Sequence, residues 1–180
     1  HRALGTVETL RQLGEQLGFE VVAVDLVGGP AVNWSSTYVR QCVLEGDVAE
    51  AGEILGRPHR VVGTVVHGDH RGRDLGYPTA NLALAEHAAV PADGVYAGWL
   101  VVSGEPLPAA VSVGTNPTFD GVDRRVEAFV LDRDDLDLYG QVVACDFVTR
   151  LRPTLRFDSV DALVDQMAVD VEQTREALVP

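Results

Sequence analysis

The sequence predicts a mainly β domain, folded as an antiparallel barrel or sandwich with a C-terminal helix, behind a segment of α/β type. Beyond about residue 56, β-branched runs are separated by turn-forming Gly, Pro, Asn and Asp, with no helical pattern between them. Before that residue, helical patterns alternate with one β-branched run. After Ser159 the apolar residues again follow a helical period. We therefore divide the chain into residues 1–55 and 56–180.

The first part contains three helical patterns and one strand pattern. Residues 5–18 place apolar side chains at helical spacing, and residues 19–27 read as a buried strand because they are rich in valine. Ser35 or Ser36 is suited to cap a second helix, and a third helix ends near Leu55.

The second part contains five strand patterns and a final helix. The strand patterns cover residues 60–67, 95–102, 107–114, 125–131 and 141–149. The apolar positions of the final helix are Val160, Leu163, Val164, Met167, Val171 and Leu178.

Composition and charge exclude several classes of function. Fourteen basic against 27 acidic residues give a net charge of −13, which argues against a nucleic-acid or anionic-lipid surface. All 14 basic residues are arginines, so the chain lacks the lysine that a Walker A loop or a protein-kinase site needs. No apolar run approaches the roughly 20 residues of a membrane span, and we expect a soluble cytoplasmic protein. Cys42 and Cys145 match no metal-ligand spacing, and we expect them to be buried thiols rather than a disulfide.

The stretch from Gly68 to Asn81 is the best candidate for an anion site. Its glycines permit close backbone approach, so that successive N–H groups can point at a phosphate, and its arginines add positive charge. These residues are Gly68, Gly72, Gly76, Arg71 and Arg73. A Gly-rich hairpin loop with no ligand is the alternative.

Thr79 and Asn81 are candidate metal ligands at the end of that stretch. In an extended segment, residues two apart point to the same side. A hydroxyl and an amide oxygen, completed by phosphates and waters, suit Mg²⁺. By contrast, His67 and His70 have poor spacing for zinc and no further ligand nearby in sequence.

Glu127 is a candidate proton acceptor. Alternation along residues 125–132 places it on the same strand face as Phe129, opposite the small apolar residues. Partial desolvation there would raise the carboxyl pKa and suit a general base. A solvated glutamate, or one paired with Arg124 or Arg125, is the alternative.

Taken in order, these stretches resemble the kinase module of the bacterial bifunctional riboflavin kinase/FAD synthetase. The similarity covers about residues 56–178, and its most specific parts are the PTAN block and the glutamate strand downstream. The matching blocks lie at 68–81, 91–98, 112–119, 126–132, 137–141 and 157–175.

The resemblance implies a six-stranded antiparallel Greek-key barrel with a C-terminal helix, which phosphorylates riboflavin to FMN with Mg²⁺ and ATP. Thr79 and Asn81 would hold Mg²⁺ and the nucleotide phosphates, and the loop from residue 68 to residue 76 would close over ATP. Glu127 would accept the proton of the ribityl 5′-hydroxyl. Many members of the family carry His where this chain has Phe129, so no role of that His carries over.

Contacts with the flavin are not readable from the sequence. Arg152, Arg156 and Phe157, which precede the last helix, are our candidates.

Residues 1–55 resemble the end of the FMN adenylyltransferase domain of the same family. Its late motifs match Ser35, Ser36, Thr37 and Arg40, and the resemblance implies that they bind nucleotide phosphates at a helix N-terminus. The opening H-x-G-H signature of that domain is missing, so we expect no FAD synthesis by this chain, although the full-length parent would make FAD. A remnant of an α/β sheet would expose an apolar edge and favour self-association.

Two other functions stay open at this stage. A non-catalytic flavin- or nucleotide-binding barrel would bind riboflavin without forming FMN. An oligonucleotide-binding barrel fits poorly with a charge of −13 and only 6% aromatic residues. We expect riboflavin and ATP as the partners, with neither nucleic acid nor membrane.

Overall fold

The structure, a computed structural model, describes residues 5–25, 28, 34–68, 72, 75–118 and 121–178, and at 116–118 and 121–123 it describes the backbone alone. Contacts divide the chain into two compact units, residues 1–34 and 35–180. The helices are α1 (Val7–Leu17), α2 (Ser36–Glu45), α3 (Val48–Leu55) and α4 (Val160–Leu178). The strands are β1 (His59–Val66), β2 (Ala80–Leu84), β3 (Gly94–Val102), β4 (Glu105–Thr118), β5 (Gly121–Val130) and β6 (Val142–Arg152).

The six strands form a closed antiparallel barrel in the order β1-β2-β5-β4-β3-β6, in which β6 pairs with β1. The barrel with its C-terminal helix is therefore confirmed, and each of the five predicted strand patterns overlaps one strand. The sixth strand, β2, has only five residues, and its sequence pattern indicated no more than an extended segment.

The barrel interior is filled by the alternating apolar residues of each strand. On β5, Val126, Ala128 and Val130 are buried, while Glu127 and Phe129 lie between them on the outer face and are half-buried. This alternation follows the two-residue period of a strand, as the sequence predicted. Cys145 belongs to the same core, and both it and Cys42 are buried free thiols, which confirms the prediction.

Helices α2 and α3 belong to the same compact unit as the barrel. Ser35 caps α2 by accepting a hydrogen bond from the Tyr38 N–H at 3.2 Å. Val48 of α3 is part of the barrel's apolar core. The Arg150 side chain of β6 donates to the Glu45 carbonyl at the end of α2, at 3.4 Å. The domain boundary that we placed near residue 56 stays a prediction. The two compact units divide between residues 34 and 35 instead, and they are defined by contacts rather than by family.

The strand predicted at residues 19–27 is wrong over residues 19–25, which have no regular structure. A strand needs a neighbour for its backbone hydrogen bonds, and these seven residues form no ladder with any described strand. Val22 and Val24 are 77% and 85% exposed, so the predicted burial is also absent there. Within the described residues, no helix is long and apolar enough to span a membrane.

Candidate active site

Strand register brings three polar residues into one row on the outer face of the barrel. Asn81 on β2 lies directly opposite Glu127 on β5, and Glu127 lies opposite Ser112 on β4. Side chains directly opposite in an antiparallel pair have Cβ atoms about 4.5–5.5 Å apart. Asn81 and the half-buried Glu127 are therefore neighbours, as a joint role in one site requires.

The side chains of Thr79 and Asn81 are also close together. Asn81 Nδ2 lies 3.5 Å from Thr79 Oγ1 and 3.4 Å from the Thr79 carbonyl oxygen. Turning the amide about its last bond exchanges Nδ2 for Oδ1, which gives two neutral oxygen atoms at this point. Such a donor set fits Mg²⁺ bound together with nucleotide phosphates, because two neutral oxygens alone would not hold the ion. Among the described residues, no group of three or more His, Cys, Asp or Glu side chains could hold a metal instead.

The glycines of the loop before β2 pack closely on neighbouring groups or form turns of the chain. A Cβ atom on Gly68 would lie 2.5 Å from Asn81 Nδ2 and 2.6 Å from its Cγ and Oδ1, so a larger residue at this position would displace the Asn81 amide. The Gly72 carbonyl accepts hydrogen bonds from the N–H groups of Leu75 and Tyr77, at 3.1 and 2.8 Å. Gly76 has a φ of 85°, in the left-handed region that favours glycine. Gly68 thus packs directly on a predicted metal ligand.

A cleft of about 250 Å³ lies between the outer face of the barrel and α4. Its walls are apolar and aromatic apart from a few polar groups, an arrangement typical of small-molecule sites. Tyr77 and Phe129 meet there edge to face, with ring centroids 5.2 Å apart. The residues of the cleft are Gly72, Leu75, Tyr77, Thr79, Val95, Ala110, Ser112, Glu127, Phe129, Arg152, Leu163, Met167, Asp170 and Val171.

A second cavity, of about 400 Å³, lies where β1 ends, β2 begins and β5 ends; we call it the mouth cavity. Thr79 lines both this cavity and the cleft. Arg133 and Asp134 are among its polar residues, and Tyr139 is its exposed aromatic ring. Arg133 also donates to Asp135 at 2.6 Å, and this hydrogen bond lowers the pKa of the Asp135 carboxyl.

The sequence model for the family described as "Flavokinase: Riboflavin kinase" matches residues 55–178. The chain belongs to the riboflavin kinase family. Two curated relatives, from Listeria monocytogenes and Escherichia coli, are both bifunctional riboflavin kinase/FMN adenylyltransferases and are each 38% identical to it. The alignments cover 87% and 93% of this chain but 50% and 53% of the relatives. The chain thus spans about half the length of the curated relatives it matches.

One solved structure is also similar over most of the chain. It is described as a macrolide-efflux protein from Streptococcus pneumoniae, with a TM-score of 0.88 and 43% identity. The alignment covers 95% of this chain and 55% of that one.

Of the remaining predicted kinase-site residues of this riboflavin kinase family member, one lines the cleft, two lie elsewhere and two lie outside the described residues. Arg71 and Arg73 lie outside the described residues. Arg152 lines the cleft, where its guanidinium is paired with Asp170. The other two flavin candidates are not cleft residues, since Arg156 is exposed and the half-buried Phe157 lies with its ring 5.9 Å from the Arg152 guanidinium.

The four residues that resemble the adenylyltransferase motif lie at the start of α2. Ser35, Ser36, Thr37 and Arg40 are all exposed, and none of them lines the cleft or the mouth cavity. The Ser35 hydroxyl is engaged as the helix cap.

Sequence reasoning missed two polar residues of the riboflavin kinase cleft, Ser112 and Asp170. Asp170 occupies a position of the buried stripe of α4, seven residues after Leu163 and three after Met167, and it is buried itself. An acidic residue on the apolar stripe of a helix was a signal that could have been read. Ser112 carried no such signal, because only the register of β4 and β5 places it opposite Glu127.

Proposed function

We propose that this chain transfers the γ-phosphoryl group of ATP to the 5′-hydroxyl of riboflavin, forming FMN and ADP. A single observation carries the proposal: Thr79 lines both the cleft and the mouth cavity, with Asn81 beside it. A phosphoryl transfer needs two substrate sites that meet at the transferred group. Glu127 lines one of those two sites and lies opposite Asn81 in the sheet.

The cleft suits riboflavin. Its flat ring system can pack between the aromatic pair Tyr77–Phe129 and the apolar side chains of α4, such as Met167. Its ribityl chain would then extend towards Glu127 and Thr79. The mouth cavity would take the nucleotide, whose phosphates would reach Thr79 from the opposite side.

In the proposed mechanism the ribityl oxygen attacks the γ-phosphorus in line, and the bond between that phosphorus and the β,γ-bridging oxygen breaks. The proton of the hydroxyl passes to Glu127, and ADP keeps the electrons of the broken bond. Thr79, Asn81 and the N–H groups of the loop from residue 68 to residue 76 hold the phosphates. Bound Mg²⁺ would supply compensation for the negative charge of the phosphates. Positioning and electrostatics suffice for this reaction, which needs no covalent nucleophile.

The whole protein would carry a second activity. We propose that the full-length parent also adenylylates FMN to FAD, since the curated relatives carry both names and the chain spans about half their length. Ser35, Ser36, Thr37 and Arg40 would bind nucleotide phosphates for that reaction at the N-terminus of α2. In this scheme residues 1–55 belong to the adenylyltransferase domain and 56–180 to the kinase domain. We place both reactions in the cytoplasm.

The test is incubation with riboflavin, ATP and Mg²⁺, followed by reversed-phase chromatography of the flavins and nucleotides. We expect FMN and ADP in equal amounts, and no FMN when EDTA removes the metal. Tight riboflavin binding without any FMN would contradict the kinase and favour a non-catalytic flavin-binding barrel. FAD separates on the same column and reports on adenylylation independently.

A further inference from the structure

Arg152 of β6 and Asp170 of α4 form a buried ion pair at one side of the cleft. Arg152 Nε and Nη2 donate to the two carboxylate oxygens of Asp170 at 2.7 and 2.6 Å. The two side chains are only 14% and 6% exposed. Gln166 Nε2 donates to Asp170 Oδ1 at 3.0 Å, and Arg152 Nη1 donates to the Pro153 carbonyl at 3.1 Å. The fork geometry and the burial make this a strong, oriented contact.

A β-bulge directs Arg152 towards the cleft. On β3, Val95 and Tyr96 are adjacent, but their partners on β6 are Arg152 and Arg150, so Leu151 is an extra residue on β6. Tyr96 is fully buried, whereas Val95 lines the cleft. Paired residues point to the same side of a sheet, so the bulge aligns Arg152 with the cleft-facing Val95.

Asp170 lies on the same side of α4 as the apolar residues that wall the cleft. Leu163 and Met167 precede it by seven and three residues, which is helical spacing, and both line the cleft, as does the adjacent Val171. Holding Asp170 against the end of β6 therefore fixes how far these apolar side chains stand from the barrel. Because Asp170 offsets the positive charge of Arg152, the arginine is poorly suited to bind an anionic ligand.

We infer that Arg152 and Asp170 act together as positioning residues that set the width of the riboflavin cleft by holding α4 against the barrel. This inference rests on the proposed function. It differs from the sequence-based expectation that Arg152 contacts the flavin directly. If the pair positions α4, losing either residue should have the same effect on riboflavin binding. If Arg152 contacts the flavin directly, only the loss of the arginine should weaken riboflavin binding.

The experiment compares Asp170→Asn, Arg152→Met and the double variant Arg152→Met/Asp170→Leu in steady-state FMN formation and in riboflavin binding by flavin fluorescence. Asp170→Asn and Arg152→Met should each raise the KM for riboflavin about tenfold or more, with the KM for ATP and the kcat at saturating riboflavin within about twofold. The double variant should be no worse than either single one, because replacing a buried pair by apolar groups removes the uncompensated charge. Arg175→Ala is the matched control: it removes the exposed ion pair of α4 with Asp132 and should leave riboflavin kinetics unchanged.

Two results would overturn the inference. If Arg152→Met weakened riboflavin binding while Asp170→Asn preserved or strengthened it, Arg152 would be a direct flavin ligand. Circular dichroism would first show that the double variant is folded. If its kcat then fell and its KM for ATP rose by the combined factors of the two single variants, the pair would not act through the width of the cleft. A wild-type protein that forms no FMN would instead count against the proposed function, and the fluorescence titrations would still test the pair.

Discussion

Replacing Gly68 by alanine should separate nucleotide binding from flavin binding. The added Cβ would lie 2.5 Å from Asn81 Nδ2, whereas ordinary contacts begin near 3.5 Å, so the amide must move by about 1 Å. Mg²⁺ requires near-ideal octahedral geometry at about 2.0–2.1 Å, and a displacement of that size removes a ligand. Polar contacts with a charged group are worth about 1.5–3 kcal/mol, so losing the contact between the Asn81 amide and the ion should weaken Mg²⁺–ATP binding by about 10- to 150-fold.

Isothermal titration with Mg²⁺–ATP measures this loss, and riboflavin fluorescence quenching measures the flavin site in the same preparation. We expect Gly68→Ala to weaken nucleotide binding by that factor and to leave riboflavin affinity within about twofold. Gly52→Ala in α3 is the matched control, because its Cβ would meet no atom closer than 3.6 Å. Unchanged nucleotide affinity in a folded Gly68→Ala protein would refute the placement of Asn81 at the metal.

Thr79→Ala and Asn81→Ala should each weaken Mg²⁺–ATP binding about tenfold or more, and equal KM values for ATP in variant and wild type would contradict the metal role. Phe129→Ala should weaken riboflavin binding about tenfold, since stacking of a flat ring on an aromatic side chain is worth about 1–3 kcal/mol, and titration by fluorescence checks it. Burial raises the pKa of the Cys145 thiol, so iodoacetamide should label this residue at pH 8 only after unfolding, as peptide mass spectrometry would show. The unfolded thiol releases its proton near its ordinary pKa while the folded one keeps it, so the free energy of unfolding should fall as pH rises above about 9, and Cys145→Ala should reduce that slope.

The barrel was predictable because its strands carry a local signal. Val126, Ala128 and Val130 alternate with outward residues, and such a period is visible in the sequence alone. Strand β2 has five residues beginning directly after a loop, too few for the pattern to stand out. At the valine-rich residues 19–25 the sequence predicted a strand that the structure lacks. Strand propensity alone does not form a strand when no described strand pairs with the segment.

The candidate site was predictable in its residue types but not in its geometry. The spacing of Thr79 and Asn81 suggested a shared side, and their polar atoms lie 3.5 Å apart. The neighbourhood of Asn81 and Glu127 depends on the pairing of β2 with β5, strands that are far apart in sequence. The contact of Arg152 with Asp170 depends on a bulge, which has no local sequence signal, although the position of Asp170 on the apolar stripe of α4 is visible in the sequence.

In the proposed mechanism, Glu127 accepts the proton of the riboflavin hydroxyl within this cleft. The most direct measurement is the turnover of Glu127→Gln in FMN formation, together with its riboflavin affinity. Removing a general base costs about 10²- to 10⁴-fold, so we predict a kcat lower by that factor and a riboflavin dissociation constant within about twofold of wild type. A kcat within twofold of wild type would contradict the claim.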